Sequence, residues 1–260
     1  MSDHAHDDEY DDTMVSFLEL IYGDGFIAPG GPDEVNNLIR GVDLGGKLVL
    51  DIGCGVGGID VMLARDHGCD IIAVDVEAPL VERARQRTAA AGLAERIDFR
   101  VVEPGPIPLE GEAVDIVFSK DVWIHIVDKP ALLADIFRVL RPDGLLVAAD
   151  WCCGPEPFSP DMDYFFELEG LTYSMATLGS YGESLADCGF TGIELNDISD
   201  RFRALSQNQY ERLKGPLNEP MRALVGDKMA DHFVENWRQL LVVIDNGELR
   251  PGHMRARKPD

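Results

Sequence analysis

Between residues 47 and 149 the chain alternates short apolar runs with amphipathic stretches. The apolar runs are typical of strands buried on both faces of a parallel sheet, and the stretches between them have the spacing of helices. The predicted strands span 48–52, 69–74, 97–102, 114–119 and 145–149. The predicted helices span 59–66, 79–91 and 130–140. This order predicts an α/β fold with a mostly parallel sheet covered by helices on both faces.

The flanking parts of the chain are predicted to add two strands, which completes a seven-stranded sheet, and several helices. The added strands are 192–196 and 252–258, the second at an edge of the sheet. The added helices are 13–21, 33–40, 161–169, 181–188 and most of 203–244, with breaks at Gly215–Pro216 and Gly226. Asp33 is predicted near the N-cap of its helix, and 22–32 and 141–144 are predicted as a loop and a turn.

A glycine-rich turn follows the first strand, where Asp51 precedes Gly53, Gly55 and Gly58. Glycines in a strand–turn–helix unit let backbone approach a ligand closely. The spacing fits a dinucleotide pyrophosphate, but Asp51 would place its charge against that group. An acid here suits a ligand with an ammonium group. Asp-x-Gly-x-Gly resembles the first motif of the S-adenosylmethionine-dependent methyltransferases with a Rossmann-like sheet, which implies that cofactor; a purely structural glycine turn is the alternative.

Further candidate groups follow the next strands. Asp75 ends the second strand, where an acid can accept both hydroxyls of a ribose; a simple turn acid is the alternative. Glu103 follows the third strand, where related enzymes often carry Asp beside the adenine, and Pro104 removes a backbone N–H there. The fourth strand leads into Asp121 and His125, and a His at this place can accept a proton or be a structural group.

A narrower resemblance rests on five pieces of the chain: Tyr10, the loop 22–31, the block 119–125, Asp150-Trp-Cys152 and the end 252–258. Together they resemble the phosphoethanolamine N-methyltransferases over nearly the whole chain. The resemblance implies that Tyr10 and His125 form a catalytic pair over the amine. It also implies that Asp121, Trp151 and Tyr173 line the substrate pocket.

The same resemblance has departures at the phosphate end of the pocket. Leu171 and Leu240 stand where the family has its two cationic residues, and Trp151 stands where it has a Tyr. Without both cations the charge-assisted contacts that a phosphate needs are lost. The sequence therefore predicts methyl transfer to a small polar molecule, chiefly to the nitrogen of an amine, but not to phosphoethanolamine.

The cofactor-binding residues implied by the resemblance are Ile27, Ala28, Asp51, Gly53, Gly55, Asp75, Val76, Glu103, Pro104 and Ser119; no metal ligands are predicted.

The composition of the chain limits the classes of partner that it can bind. The net charge of −24 over 260 residues argues against nucleic acid and anionic membranes, since both require clustered Lys and Arg. No apolar run is long enough to span a bilayer, and no signal peptide is visible. Five cysteines without Cys-x-x-Cys spacing favour reduced thiols in a cytoplasm. We expect a cytoplasmic monomer or weak homo-oligomer with a small-molecule substrate.

The predicted organisation is an acidic flexible tail or lid over residues 1–12 and a single methyltransferase domain over 13–260. Within that domain we predict an N-terminal helical cap (13–46), a cofactor-binding half (47–151) and a half that binds substrate and completes the sheet (152–260). Two alternatives to N-methylation stay open. One is O- or S-methylation of a small hydroxy acid, phosphonate or thioether. The other is a protein that binds S-adenosylmethionine without turnover.

Overall fold

The computed structural model describes residues 10–171 and 173–260. Its seven strands form one sheet in the order β3-β2-β1-β4-β5-β7-β6. The strands are β1 Leu48–Ile52, β2 Asp70–Asp75, β3 Ile97–Val101, β4 Val114–Lys120, β5 Leu140–Asp150, β6 Thr191–Asp197 and β7 Gly252–Arg257. The first five run parallel, and β7 is antiparallel to both of its neighbours. The predicted mostly parallel seven-stranded α/β sheet is confirmed.

Helices cover both faces of the sheet and one end of it. They are α1 Asp12–Tyr22, α2 Gly31–Leu38, α3 Gly58–His67, α4 Ala78–Ala90, α5 Lys129–Val139, α6 Pro160–Glu169, α7 Leu178–Asp187, α8 Ser199–Lys214, α9 Asn218–Val225 and α10 Asp227–Asp245. A short 3₁₀ helix, Trp123–His125, follows β4. Within the described residues no helix is both long and apolar enough to cross a membrane.

Three large apolar clusters hold these elements together. One joins the sheet to α2, α3 and α4, and the second joins its other face to α5 and α7. The third lies among α1, α6, α8, α9 and α10 and includes Phe17 stacked on Phe233 at 3.9 Å between ring centroids. Trp151, directly after β5, packs against this third cluster. The helical cluster therefore lies at the carboxyl ends of the strands, where parallel sheets bind ligands.

Three local predictions were wrong. Helix α2 begins at Gly31 with Gly30 at its N-cap, not near Asp33, because both glycines adopt positive φ and carry the chain into the helix two residues earlier. The predicted turn 141–144 lies within β5, as an irregularity in its pairing with β4 that Asp143 accommodates at φ 61°. Strand β7 lies between β5 and β6, so the edge strand at this side of the sheet is β6.

The acidic N-terminal stretch is only partly described. Residues 1–9, on which most of the predicted tail falls, lie outside the described residues. Asp11 caps α1 by accepting a hydrogen bond from the Met14 N–H at 2.7 Å, and Asp12 is the first residue of that helix. Because these two acids begin an ordered helix, α1 starts one residue before the predicted boundary at residue 13.

Candidate active site

The glycine turn after β1 has a backbone that only glycine adopts without strain. Gly53, Gly55 and Gly57 have φ values of 83°, 52° and 77°. A Cβ on Gly53 would overlap the side chain of Val122, and one on Gly55 would lie 2.9 Å from Ile27. Glycine is therefore required here both by the backbone conformation and by the close packing of Val122 and Ile27 against the turn.

Two carboxyl groups are buried beside this turn. Asp51, on β1, is 1% exposed, and Asp60, in the first turn of α3, is fully buried. Apart from each other, their carboxyl oxygens have no hydrogen-bond partner among the described residues. Burial raises the pKa of Asp51, and the charge of Asp60 adds to this; burial likewise raises the pKa of Asp60 to about 7. A buried acid without a partner is costly, so this pair is suited to a cationic group of a ligand.

Asp75 shapes the turn from the neighbouring strand. Its carboxylate accepts hydrogen bonds from the Gly55 N–H at 2.8 Å and from the Glu77 N–H at 2.9 Å. Burial raises its pKa, and these backbone hydrogen bonds oppose the rise. Since each carboxylate oxygen has a second lone pair, Asp75 can also accept hydrogen bonds from hydroxyls of a ligand.

The other predicted cofactor residues fall into two groups. Val76, at 48% exposure, and Glu103 and Pro104 lie at the surface just beyond β2 and β3. Ile27 packs beside the turn, and Ala28 follows it in the same loop, partly buried.

Ser119, the last of the predicted cofactor residues, is fully buried on β4. Its hydroxyl donates to the Ile52 carbonyl at 2.8 Å. The side chain therefore joins β1 to β4, and its hydroxyl proton is used in that contact.

The segment after β4 is held in place from both sides. Lys120 forms an ion pair with Asp121 and donates to the Pro29 carbonyl at 3.0 Å. Asp121 has φ 58° and donates its N–H to the Ala149 carbonyl at 2.8 Å. These contacts place the Asp121 carboxylate beside the loop 22–32.

His125 closes the 3₁₀ helix that follows. Ile124 of this helix donates its N–H to Asp150 at 3.1 Å, and the Tyr181 hydroxyl donates to the same carboxyl group at 2.6 Å. Burial raises the pKa of Asp150 to about 7, although both hydrogen bonds oppose the rise. Asp150, at the carboxyl end of β5, thus positions the turn that carries His125.

An aromatic wall stands next to His125. The ring centroid of Tyr173 lies 5.7 Å from that of His125, 6.3 Å from that of Trp151 and 5.9 Å from that of Phe166. The Tyr173 hydroxyl donates to Glu169 at 2.6 Å. The structure thus brings together three predicted site residues, His125, Trp151 and Tyr173, and adds Glu169 to them.

Tyr22 connects this wall to the N-terminal segment. Burial raises its pKa well above the ordinary value, and the charges of Glu169, Asp121 and Tyr10 add to the rise. Tyr22 packs against the third apolar cluster, as do Trp151 and Phe166. Tyr10 itself packs with Ile27 beside the glycine turn, against the small apolar cluster of Val15, Val56 and Leu80.

Sequence reasoning missed Tyr22, Asp60, Lys120, Glu169 and Asn236 as members of the site. Lys120 and Tyr22 lie within the predicted segments 119–125 and 22–31, but neither was singled out as a site residue there. Asp60, Glu169 and Asn236 lie on helices and follow no strand end, and a sequence motif gives no signal for such positions.

Known proteins are similar to this chain in sequence. Residues 50–148 match the model of a family described as a methyltransferase domain. The central part of this chain is therefore similar to a methyltransferase domain. Phosphoethanolamine N-methyltransferase 3 of Arabidopsis thaliana is 26% identical over 96% of this chain and 50% of its own length. The Plasmodium falciparum phosphoethanolamine N-methyltransferase is 23% identical over 96% of this chain and 93% of its own length.

A solved structure gives the same result. Phosphoethanolamine N-methyltransferase 2 of Haemonchus contortus, in complex with phosphomonomethylethanolamine and S-adenosylhomocysteine, superimposes with a TM-score of 0.90. The two chains are 26% identical, and the match covers 97% of this chain and 59% of the Haemonchus contortus chain. The predicted Rossmann-like methyltransferase fold and the predicted resemblance to the phosphoethanolamine N-methyltransferases are confirmed. The chain spans about half the length of the plant relatives it matches.

Proposed function

We propose that this methyltransferase transfers a methyl group to the nitrogen of a small polar amine. The observation that supports the proposal is the contact between the glycine turn and the block after β4. Ile52 pairs with Ser119 across β1 and β4, and a Cβ on Gly53 would overlap Val122. A methyl donor on the turn therefore lies next to the segment that carries Asp121 and His125.

The residues of the turn fit the cofactor. Asp51 offers a buried carboxyl group to the ammonium of the methionine part, and Asp75 offers free lone pairs to the ribose. Ile27, Ala28, Val76, Glu103, Pro104 and the backbone of Ser119 are the further contacts that we propose. When bound, S-adenosylmethionine supplies a methyl group that its sulfonium already activates.

The chain then has to align the amine and take its proton. An ammonium has no lone pair, so the substrate must be deprotonated before it can accept a methyl group. His125 is proposed to accept this proton at a ring nitrogen. Asp121, held by Lys120, orients the amine, and Tyr10 closes the site from the N-terminal side.

At the two positions where the resemblance places the family's cationic residues, this chain has Leu171 and Leu240. Leu240 is buried in the third apolar cluster, and Leu171 is partly buried. Neither side chain can form the charge-assisted hydrogen bonds that a phosphate requires. We therefore propose an amine without a phosphate group. The cytoplasmic location expected from the cysteines stays a prediction.

Replacing His125 tests the proposal. Candidate amines, hydroxy acids and thioethers are first incubated with the wild-type enzyme and S-adenosylmethionine, and the products are identified by mass. For the best amine, His125→Ala should lower kcat by roughly 10² to 10⁴, the usual range for general base catalysis. Cofactor affinity from calorimetry and the melting temperature should stay near the wild-type values.

His67→Ala, at the end of α3, is the matched control and should retain full turnover. A His125→Ala enzyme with lower melting temperature and no specific loss of turnover would assign His125 a structural role. A stable variant with nearly wild-type turnover would end the assignment and favour a substrate that needs no deprotonation, such as a thioether. Products from hydroxy acids alone would replace N-methylation with O-methylation.

A further inference from the structure

Glu169 is the last residue of α6 and lies beside the aromatic wall of the proposed substrate site. One of its carboxylate oxygens accepts from the Tyr173 hydroxyl at 2.6 Å, and the other accepts from the Asn236 amide at 2.8 Å. Each oxygen keeps a lone pair, because a carboxylate has about four acceptor positions. The side chain is thus fixed in place by neutral donors and is still able to bind a further donor.

The charge of Glu169 is not balanced by the chain. Within the described residues no Lys or Arg forms an ion pair with it, whereas Asp121 pairs with Lys120 and Glu34 pairs with Arg201. Burial raises its pKa, the hydrogen bonds from Tyr173 and Asn236 oppose the rise, and His232 is the charged group among the described residues that lowers it. A poorly solvated carboxylate without a counter-ion is unfavourable, and a cation bound beside it removes that cost.

The surfaces around Glu169 also favour a cation. The rings of Trp151 and Phe166 pack against Tyr173, whose hydroxyl binds Glu169, with centroid distances of 6.3 Å and 5.9 Å to the Tyr173 ring. Aromatic faces attract ammonium groups, and most strongly where water is partly excluded. The Tyr22 hydroxyl, which the charge of Glu169 reaches, is a neutral group and does not compensate that charge.

Tyr173 contacts both ends of the proposed site, since its hydroxyl donates to Glu169 at 2.6 Å and its ring centroid lies 5.7 Å from that of His125. We infer that Glu169 binds a second, cationic group of the substrate while the amine near His125 accepts the methyl group. The substrate class is therefore a short diamine or a related amine with a cationic far end, and compounds with a phosphate or carboxylate at that end are rejected. This inference rests on the proposed N-methylation.

A matched series of 2-aminoethyl compounds tests it with the intact enzyme. The far end is trimethylammonium in (2-aminoethyl)trimethylammonium, hydroxyl in ethanolamine, carboxylate in β-alanine and phosphate in phosphoethanolamine. The trimethylammonium compound has a fixed charge and only one amine that can be methylated. Calculated per neutral amine, its kcat/KM should exceed that of ethanolamine by about tenfold or more and those of the two anions by about 10², because Glu169 attracts a cation at the far end and repels an anion there.

Glu169→Gln removes the charge and keeps the shape. In this variant the preference for the trimethylammonium compound should fall to within about threefold of ethanolamine, chiefly through a higher KM, since the change affects binding and not the proton transfer. Glu167→Gln, an exposed position on the same helix, is the control and should retain the preference. Melting temperatures of both variants show whether they fold.

The outcomes separate the two proposals. If an anionic compound is the best substrate, or if Glu169→Gln keeps the wild-type preference, the inference is overturned while N-methylation stands. If none of the compounds is methylated, N-methylation of this series fails, and calorimetric binding to the enzyme saturated with S-adenosylhomocysteine decides the inference. Tightest binding of the trimethylammonium compound, weakened about tenfold by Glu169→Gln, would support it; equal, reversed or absent binding would overturn it.

Discussion

Asp51 and Asp60 share one buried space next to the glycine turn, and this has a consequence for stability. The pKa of Asp60 rises to about 7 because the group is buried. Its pKa in an unfolded chain is about 3.9, so the folded state holds its proton more tightly. The stability from this group is fully present below about pH 4 and is lost as the pH rises through about 7.

Asp60→Asn should therefore remove part of the pH dependence of unfolding. Between about pH 5 and 8, the free energy of unfolding of the variant should rise relative to wild type by about 1 to 3 kcal/mol, since one group changes it by at most about 1.4 kcal/mol per pH unit. Urea unfolding at several pH values measures this. Asp66→Asn, exposed on the same helix, is the control, since Arg65 lowers the pKa of Asp66. If the free energies of unfolding of wild type and Asp60→Asn change with pH in parallel, the raised pKa of Asp60 is contradicted.

The individual residues of the site could be predicted from the sequence to different degrees. Asp51, Asp75 and Asp121 lie at or just beyond strand ends, and the ends of parallel strands meet at one edge whatever the details of packing. Glu169 and Asn236 meet across α6 and α10 at a separation of 67 residues. Only the packing of the helices decides that contact, so the local sequence carries no signal for it.

The loop 22–32 and helix α4 hold the glycine turn from outside. Arg87 of α4 donates to Glu19 at 2.6 Å, to Asp24 at 2.8 Å and to the Val56 carbonyl at 3.2 Å. A Cβ on Gly58, the first residue of α3, would overlap the Gly25 backbone. In this protein the last glycine of the motif therefore permits the loop to cross over the start of α3.

Gly58→Ala should push that loop away from the turn. We expect a loss of about 1 to 3 kcal/mol in unfolding free energy, the usual cost of overpacking, because the neighbouring atoms are backbone and cannot rotate away. S-adenosylmethionine affinity should fall as well, since Ile27 and Ala28 lie in the displaced loop. Denaturant unfolding and calorimetry measure the two effects.

Gly179→Ala is the control for this change. Gly179 lies in α7, has no positive φ and would place a Cβ no closer than 3.9 Å to the Thr177 hydroxyl. This alanine should be neutral or slightly stabilising, because it lowers the entropy of the unfolded chain. If Gly58→Ala behaves like Gly179→Ala, the crossing of the loop does not hold the turn.

Most elements were predictable because strands and helices have different apolar periods. The position of β7 was not, since strand order depends on pairing over long distances. Its basic residues had suggested an exposed edge. In the structure Arg255 donates to the Leu38 and Arg40 carbonyls and Arg257 donates to the Asp143 carbonyl. The side chains of these arginines therefore reach carbonyl groups of neighbouring segments, while β7 itself lies inside the sheet.

At the scale of the whole molecule, 47 acidic residues face 23 basic ones. Many of the bases are already paired at the surface, for example Arg203 with Asp245 and Arg250 with Asp197. Such exposed pairs contribute little stability each, whereas the excess negative charge repels itself over the whole surface. Screening this repulsion should therefore stabilise the fold more than the loss of surface pairs weakens it.

Raising KCl from about 0.05 M to about 1 M should increase the melting temperature by about 2 to 8 °C, because the screening length falls to about 3 Å. KCl is preferred to sulfate, since sulfate stabilises proteins by exclusion from their surface. Glu95, Glu110 and Glu183 are exposed and form no ion pair within residues 10–171 and 173–260. Reversing all three to Lys should raise the melting temperature at low salt and reduce the gain from KCl. A melting temperature that falls with KCl would show that the surface pairs outweigh the repulsion.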